Sequence, residues 1–224
     1  MKQSKRISVV VLLLVCFLCF AHPNAARAAT VVTNIAAFTA ALAPGYYVDN
    51  FSELTGGEAQ LPSTLYGLGG NGFTYNAVDR GSAYLYALPD DGSTPSELTT
   101  FINGFTLGFD FTSGNVTAVG GYFFSTNVDG EPDGGSLTLT LSDGTPVTIN
   151  NTSLSSFVGF LSPGVFITSL DITPAFDSYA TVADLYVGDV GSGGGTGVPE
   201  PATFGLLAAG LIVGGLLRKR LSRV

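Results

Sequence analysis

The chain has 224 residues, a formal net charge of −8, two cysteines, one histidine and no tryptophan. Residues 29–197 contain sixteen acids and a single base, Arg80, so this part of the chain alone carries a formal charge of 1 − 16 = −15. Such a body repels polyanions, and we therefore exclude nucleic acid as a partner. About 160 residues are enough for one domain with a substantial core.

The N-terminal segment has the pattern of a secretory signal peptide. Basic residues precede an uncharged apolar run at residues 7–21, and Ala26-Arg27-Ala28 then supplies the small-x-small site of signal peptidase. We predict cleavage between Ala28 and Ala29, so residues 1–28 are a signal peptide for the general secretion machinery.

The predicted cleavage removes every cysteine and histidine of the chain, which are Cys16, Cys19 and His22. Disulfides, thiol nucleophiles, Ser-His-Asp triads and His-ligated zinc are therefore excluded from the mature protein. We predict a protein without catalytic residues that is not an enzyme. The less favoured alternative is a glycoside hydrolase, because that chemistry requires only two carboxylates.

Residues 29–190 read as one all-β domain that begins with a helix. Apolar residues at helical spacing predict the helix within residues 33–42, capped by Thr33 or Asn34 and ended by Pro44-Gly45. Short β-branched and aromatic segments then alternate with turn residues, which indicates an antiparallel β-sandwich of jelly-roll type. The ten predicted strands are residues 46–51, 72–78, 83–88, 104–111, 116–125, 136–141, 146–150, 156–161, 166–172 and 179–187.

The clearest strand is residues 137–141, where leucine and threonine alternate strictly. This pattern places three leucines on one face and two threonines on the other. Asp143-Gly144 follows, and this pair is typical of two-residue hairpin turns. We therefore predict a hairpin here.

Oxygen-bearing side chains recur at every second residue of the segment 127–134. Asn127, Asp129, Glu131 and Asp133 resemble the first half of an EF-hand loop, and calcium binds six to eight such oxygens. The closing glutamate of that motif is missing, because Thr138 stands in its place. A polar hairpin connection without calcium is the alternative interpretation, and we favour it.

Two further pairs are candidates for binding or packing. Tyr84 and Tyr86 share one face of a predicted strand, where they form a sugar-stacking surface if solvated and core if buried, and we favour the core. Asp49 and Asp184 lie in the first and last of the ten predicted strands. If those strands pair, the two carboxylates can share a cation or a hydrogen-bond network.

The C-terminal region combines a linker with three unlike elements. Residues 191–198 form a Gly/Ser-rich linker, and Pro199-Glu200-Pro201 then excludes both helix and strand continuation. Residues 202–217 are uncharged and predict a transmembrane helix of about 24 Å. The basic cluster at residues 218–220 then belongs on the cytoplasmic side of the membrane, which leaves the domain outside the cytoplasm.

The order of motif, apolar helix and basic tail at residues 199–224 resembles the PEP-CTERM sorting signal of exosortase substrates. The resemblance implies that exosortase recognises Pro199, Glu200 and Pro201 and cleaves nearby, so that the inner membrane anchors the precursor only transiently. It also implies export to the surface or matrix of a polysaccharide-producing Gram-negative bacterium. An ordinary C-terminal membrane anchor is the alternative.

These observations favour an exported structural protein of the cell surface, extracellular matrix or biofilm. Its expected partners are exosortase, signal peptidase, the secretion machinery and the inner membrane, with exopolysaccharide as a further candidate. A secreted module that binds polysaccharide or calcium is the alternative function. We predict no cofactor, apart from calcium under that alternative.

Overall fold

The computed structural model describes residues 28–54, 59–90, 92 and 95–191. In these residues the chain forms fourteen β-strands, one α-helix and a short 3-10 turn at Ser52–Leu54. The elements are β1 (Thr30–Val32), α1 (Ile35–Ala41), β2 (Tyr47–Asp49), β3 (Ala59–Pro62), β4 (Thr64–Gly70), β5 (Phe73–Asp79), β6 (Tyr84–Leu88), β7 (Glu97–Thr100), β8 (Leu107–Phe111), β9 (Ala118–Thr126), β10 (Leu137–Leu141), β11 (Pro146–Ile149), β12 (Phe157–Leu161), β13 (Ser169–Pro174) and β14 (Tyr179–Gly188).

The strands form two antiparallel sheets. The eight-stranded sheet has the order β1-β12-β9-β14-β7-β6-β3, with β2 paired to β14, and the six-stranded sheet has the order β11-β10-β13-β8-β5-β4. From β8 to β14 the chain passes back and forth between the sheets, so most of its connections cross from one layer to the other. This confirms the prediction of an antiparallel sandwich.

The main hydrophobic core lies between the two sheets. Leu85 and Phe123 of the eight-stranded sheet belong to the same buried cluster as Phe109, Leu139 and Ile172 of the six-stranded sheet, and each is 0% exposed. Full burial of one such side chain stabilises the fold by about 1.5–3 kcal/mol. The core thus fixes the inner face of each sheet and leaves the outer faces for other roles.

The predicted hairpin is present, but its turn is longer than a two-residue turn. The leucines of β10 are buried and its threonines are half-buried, as the alternation predicts. Leu141 N–H donates to Thr145 O at 3.1 Å, and Gly144 has a φ of +80°. Because Gly144 alone in this turn has a positive φ, the connection is a three-residue loop with a glycine bulge.

The helix α1 confirms its sequence prediction. Asn34 is the N-cap, and its Oδ1 accepts from Ala37 N–H at 3.0 Å. The helix packs on the outside of the eight-stranded sheet through Phe38, which is fully buried. A Cβ on Gly159 of β12 would lie 2.3 Å from the Phe38 ring, so glycine is needed for this close approach.

Four strands were not predicted from the sequence: β1, β3, β4 and β7. β1 has only three residues, and β3 ends in proline. β4 contains Gly67 and Gly69, both at positive φ, and its pairing with β5 shifts register between Leu65 and Leu68. Glycine and proline are depleted in strands, so in β3 and β4 the pairing with neighbouring strands overrides local preference.

Arg80 lies on the outer face of the six-stranded sheet. Its Nη2 pairs with Asp110 Oδ1 at 2.6 Å, and its Nε pairs with Asp171 Oδ1 at 2.5 Å. The guanidinium lies over Gly108, where a Cβ would come within 2.5 Å of Nε. The one base of residues 29–197 therefore joins the carboxylates of β8 and β13.

Candidate functional site

A groove of about 500 Å³ opens on the outer face of the eight-stranded sheet. Strands β6 and β7 and the loop after β9 border it. Its aromatic lining comes from Tyr86, Phe101 and Tyr179, and the loop contributes Asn127 and Asp129. Aromatic rings beside polar groups in a concave site are typical of ligand pockets.

The aromatic wall of the groove continues onto the surface. Phe101 is 40% exposed and Tyr84 is 44% exposed, with their ring centroids 5.8 Å apart at an interplanar angle of 76°. Tyr86 lies 6.1 Å from the same phenylalanine ring. The alternate residues Leu85 and Ala87 are fully buried on the other side of β6. Tyr84 is therefore on a solvated face, and the favoured interpretation of this tyrosine as core is wrong.

Three buried threonines are hydrogen-bonded to one another at the groove, and two of them, Thr99 and Thr126, line it. Thr181 Oγ1 donates to Thr99 Oγ1 at 2.9 Å, and Thr99 Oγ1 donates to Ala180 O at 3.1 Å. Thr126 Oγ1 lies 2.8 Å from Thr181 Oγ1 and must be the donor, because a hydroxyl has one hydrogen. The hydroxyls of these three threonines are thus already paired, and the exposed Asp129 lies on the loop that also lines the groove.

The loop after β9 contains the four predicted calcium ligands. Asn127 Oδ1 instead accepts from Asp129 N–H at 2.9 Å and from Glu131 N–H at 3.0 Å. Gly130 N–H also donates to Asn127 O at 3.1 Å. The amide side chain therefore organises the turn through the backbone of its own loop.

Asp133 closes the same loop. Its Oδ1 accepts from Gly135 N–H at 2.8 Å and from the Ser125 hydroxyl, and its Oδ2 accepts from Ser178 Oγ at 2.8 Å. Burial acts to raise the pKa of Asp133, but these hydrogen bonds outweigh it and lower the pKa. Among the described residues, no group of three or more His, Cys, Asp or Glu side chains has an arrangement that could hold a metal ion. The calcium site stays a prediction.

Asp49 and Asp184 have different environments. Asp49 lies on β2 opposite Leu185, and its carboxylate accepts from Tyr75 Oη at 2.5 Å and from Phe51 N–H at 2.9 Å. Burial and the neighbouring Asp49 raise the pKa of Tyr75. Asp184 lies at the register shift of β14 with a φ of +50°, and burial raises its pKa. The carboxylate of Asp49 is thus hydrogen-bonded to Tyr75 and to the backbone of Phe51.

The predicted signal-peptidase site lies at the beginning of the described chain. Ala28 is exposed, Ala29 is 8% exposed, and β1 begins at the next residue. Ala29 N–H points to Asp143 Oδ2 at 3.4 Å. The bond between Ala28 and Ala29 therefore lies directly before β1, while residues 1–27 lie outside the described residues.

The tripeptide Pro199, Glu200 and Pro201 and the predicted transmembrane helix also lie outside the described residues. The first compact unit of the chain ends at Val190. Comparison with protein families finds a PEP-CTERM protein-sorting motif at residues 197–220. The chain therefore carries a PEP-CTERM sorting motif. No curated protein matches the chain.

The match covers the tripeptide, the apolar segment and the first basic residues of the C-terminal region. The motif indicates an exported precursor, anchored in a membrane and processed by exosortase for the cell surface. In the described part of the chain, no helix has the length and apolar character needed to cross a membrane.

Sequence reasoning missed two aromatic residues of the groove, Phe101 and Tyr179. Phe101 directly follows β7, a strand that was not predicted because it begins with Glu97 and has four residues. Tyr179 was assigned to a strand, but which sheet face it occupies depends on the partners of β14. The sequence signal that pointed to the groove was the alternation in Tyr84-Leu85-Tyr86, which places two tyrosines on the face of β6 opposite the core.

Proposed function

We propose that this protein is an exported structural component of the cell surface or extracellular matrix. The observation that carries the proposal is the sorting motif at residues 197–220. The strongly acidic two-sheet domain also supports it, because a structural component requires only a stable fold and delivery to the cell surface or matrix. The biofilm of a polysaccharide-producing Gram-negative bacterium is the expected setting.

The proposed route has four steps. The secretion machinery exports the chain, signal peptidase cuts after Ala28, and residues 202–217 hold the precursor in the inner membrane. Exosortase then recognises Glu200 between its two prolines and cuts nearby. Glu200 is in this scheme a recognised substrate residue and has no catalytic role.

We assign the domain no enzymatic activity. The chain after residue 28 contains neither histidine nor cysteine. Among the described residues lining the groove, Asp129 is the only carboxylate, and glycoside hydrolysis uses two at a defined separation. Both facts support a structural role over a hydrolytic one. Incubation with polysaccharide from the host should therefore release no reducing sugar.

The intact mass of the protein from its native host tests the route. We expect a product that begins at Ala29 and has lost the residues beyond the tripeptide, whereas Glu200→Ala should keep its tail and stay in the membrane. Thr196→Ala, four residues earlier, is the matched control and should be processed normally. A full-length tail in the wild-type chain, or an intact precursor in the cytosol, would contradict the proposal.

A second candidate function is sugar binding in the groove. The supporting observation is the exposed aromatic wall of Tyr84 and Phe101 beside the carboxylate of Asp129. Aromatic faces stack on apolar ring faces, and carboxylates accept hydrogen bonds from hydroxyls. The acidic domain repels anionic polymers, so the favoured ligand is a neutral or cationic polysaccharide.

Titration of the protein with neutral and acidic oligosaccharides from the host tests this second function. Phe101→Ala should weaken binding of the neutral oligosaccharide about tenfold, because it removes one stacking surface worth roughly 1.4 kcal/mol. Tyr66→Ala is the matched control, because Tyr66 is 78% exposed on β4 of the other sheet. Absence of saturable binding, or an equal loss in the control, would exclude the groove as a sugar site.

A further inference from the structure

The first residue after the predicted signal peptide is held in place on both sides. The side chain of Ala29 is 8% exposed and belongs to the main core. The next residue, Thr30, pairs with Leu161 of β12. The position of the Ala29 nitrogen is therefore set by packing and by strand pairing together.

That nitrogen faces the carboxylate of Asp143 in the hairpin turn. Its distance to Oδ2 is 3.4 Å, while Oδ1 of the same carboxylate accepts from Thr145 N–H at 2.8 Å. A neutral amide makes a long and weak hydrogen bond at such a distance. A positively charged nitrogen in the same place would make an ion pair.

The contact joins the two sheets at one end of the sandwich. Ala29 precedes β1, an edge strand of the eight-stranded sheet, and Asp143 lies between β10 and β11 at the edge of the six-stranded sheet. The two residues are 114 positions apart in sequence. A stronger bond here therefore ties together two sheet edges.

We propose that Asp143 is the binding site for the α-ammonium group of Ala29, created when the signal peptide is removed. This inference rests on the export step of the proposed function. Hydrolysis breaks the Ala28–Ala29 bond: water gives its hydroxyl to the Ala28 carbonyl, and the Ala29 nitrogen takes up protons to become an ammonium group. The amide of the precursor thereby becomes a cation against a carboxylate.

The charge distribution of the domain increases the importance of this ammonium group. Arg80 is the one basic side chain of residues 29–197, and it already pairs with Asp110 and Asp171. The new terminus is therefore the second cation in a strongly acidic body. Because the precursor lacks this cation, the ion pair between Ala29 and Asp143 forms only after export. At that stage the chain no longer needs to stay unfolded for secretion.

The position of the cut matters for this arrangement. A cut one residue later would remove the buried methyl group of Ala29 together with its nitrogen. A cut several residues earlier would leave an uncharged amide opposite Asp143 and place the cation elsewhere. The proposed ion pair thus requires a cut at the Ala28–Ala29 bond, which the small-x-small pattern also indicates.

The absence of lysine from residues 29–197 permits a direct chemical test. The full chain carrying Lys219→Arg is expressed with its own leader and purified from the cell envelope, so that the α-amine is its one remaining primary amine. Acetylation then removes the positive charge, whereas reductive dimethylation adds bulk and retains the charge. Thermal unfolding is compared in the wild-type background, in Asp143→Asn and in Asp90→Asn. Asp90 is a matched control because it caps a different exposed turn.

We expect mass spectrometry to give Ala29 as the first residue. Acetylation should lower the unfolding midpoint by about 2–4 °C in the wild-type and Asp90→Asn backgrounds, and dimethylation by clearly less. In Asp143→Asn, acetylation should have no further effect, because the partner is already lost. This difference between backgrounds separates an ion pair from the general effect of Asp143 on its turn.

The opposing outcomes separate this inference from the function on which it rests. An uncleaved leader would overturn both the export route and this inference. A mature chain that begins at another residue, or an equal effect of acetylation with and without Asp143, would overturn this inference alone.

Discussion

Asp133 holds the loop after β9 by accepting three hydrogen bonds, from Ser125, Gly135 and Ser178. Replacement by asparagine keeps the shape but removes the charge that strengthens these bonds. Because Asp133 is partly solvated, we expect Asp133→Asn to lower the free energy of unfolding by only about 1 kcal/mol. Glu131→Gln in the same loop is the control and should change it little.

The contribution of Asp133 depends on pH in a defined direction. Its pKa in the folded state lies below the ordinary value of 3.8. The carboxylate therefore stabilises the fold above that value, and this stabilisation is lost as the pH falls through the lower folded pKa. Denaturant unfolding of wild type and Asp133→Asn should differ near about pH 7 and converge near about pH 2. If the difference in unfolding free energy did not change with pH, the loss of stability would come from the shape of the side chain and not from its charge.

The same hydrogen bonds bear on calcium. Asn127 and Asp133 direct their oxygens to donors in the protein, so a cation would have to displace those bonds. We expect added calcium to leave the unfolding midpoint of the wild-type domain unchanged. A rise that a chelator reverses and that Asp129→Ala abolishes would instead establish the calcium site predicted from the sequence.

At the scale of elements, α1 depends on two glycines beneath it. Phe38 packs over Gly159 of β12 and Gly120 of β9, where added Cβ atoms would lie 2.3 Å and 3.0 Å from its ring. Gly159→Ala must therefore displace the helix, and we expect it to lower the free energy of unfolding by about 2 kcal/mol. Chemical denaturation measures this change.

A double-mutant cycle supplies the control for that helix contact. Phe38→Ala removes a fully buried ring and should be strongly destabilising by itself. In that background the added methyl at residue 159 meets empty space, so Gly159→Ala should then have little effect. Additive losses would show that the glycine matters for the conformation of β12 and has no specific role under the helix.

The elements also show how far local patterns reach. Asn34 predicts its helix because capping acts within one turn, and the leucines of β10 predict their buried face because alternation is local. The hairpin turn differs from its prediction since Asp143-Gly144 fits both a two-residue turn and a longer bulged one. Which of the two forms depends on the register set by Pro146 opposite Thr140.

At the scale of the whole molecule, the sorting motif and the sandwich class could be read from sequence. The groove could not, because it depends on long-range pairing. Phe101, Thr126 and Tyr179 come together only through the adjacency of β7, β14 and β9. No periodicity along the chain encodes that order, and neither does any local pattern place Ala29 against Asp143.

The overall charge of the domain makes Arg80 important beyond its own contacts. Without it, Asp110 and Asp171 would be unpaired diagonal neighbours on adjacent strands of an acidic body. We expect Arg80→Met to lower the free energy of unfolding by about 1 kcal/mol at low salt, and by less near 0.5 M salt, where screening acts within about 5 Å. Arg80→Lys keeps the charge but cannot pair with both carboxylates through a planar guanidinium. It should lower the free energy of unfolding by an intermediate amount. Thermal or denaturant unfolding at both salt concentrations measures this, and a salt-independent loss would attribute the effect to packing over Gly108.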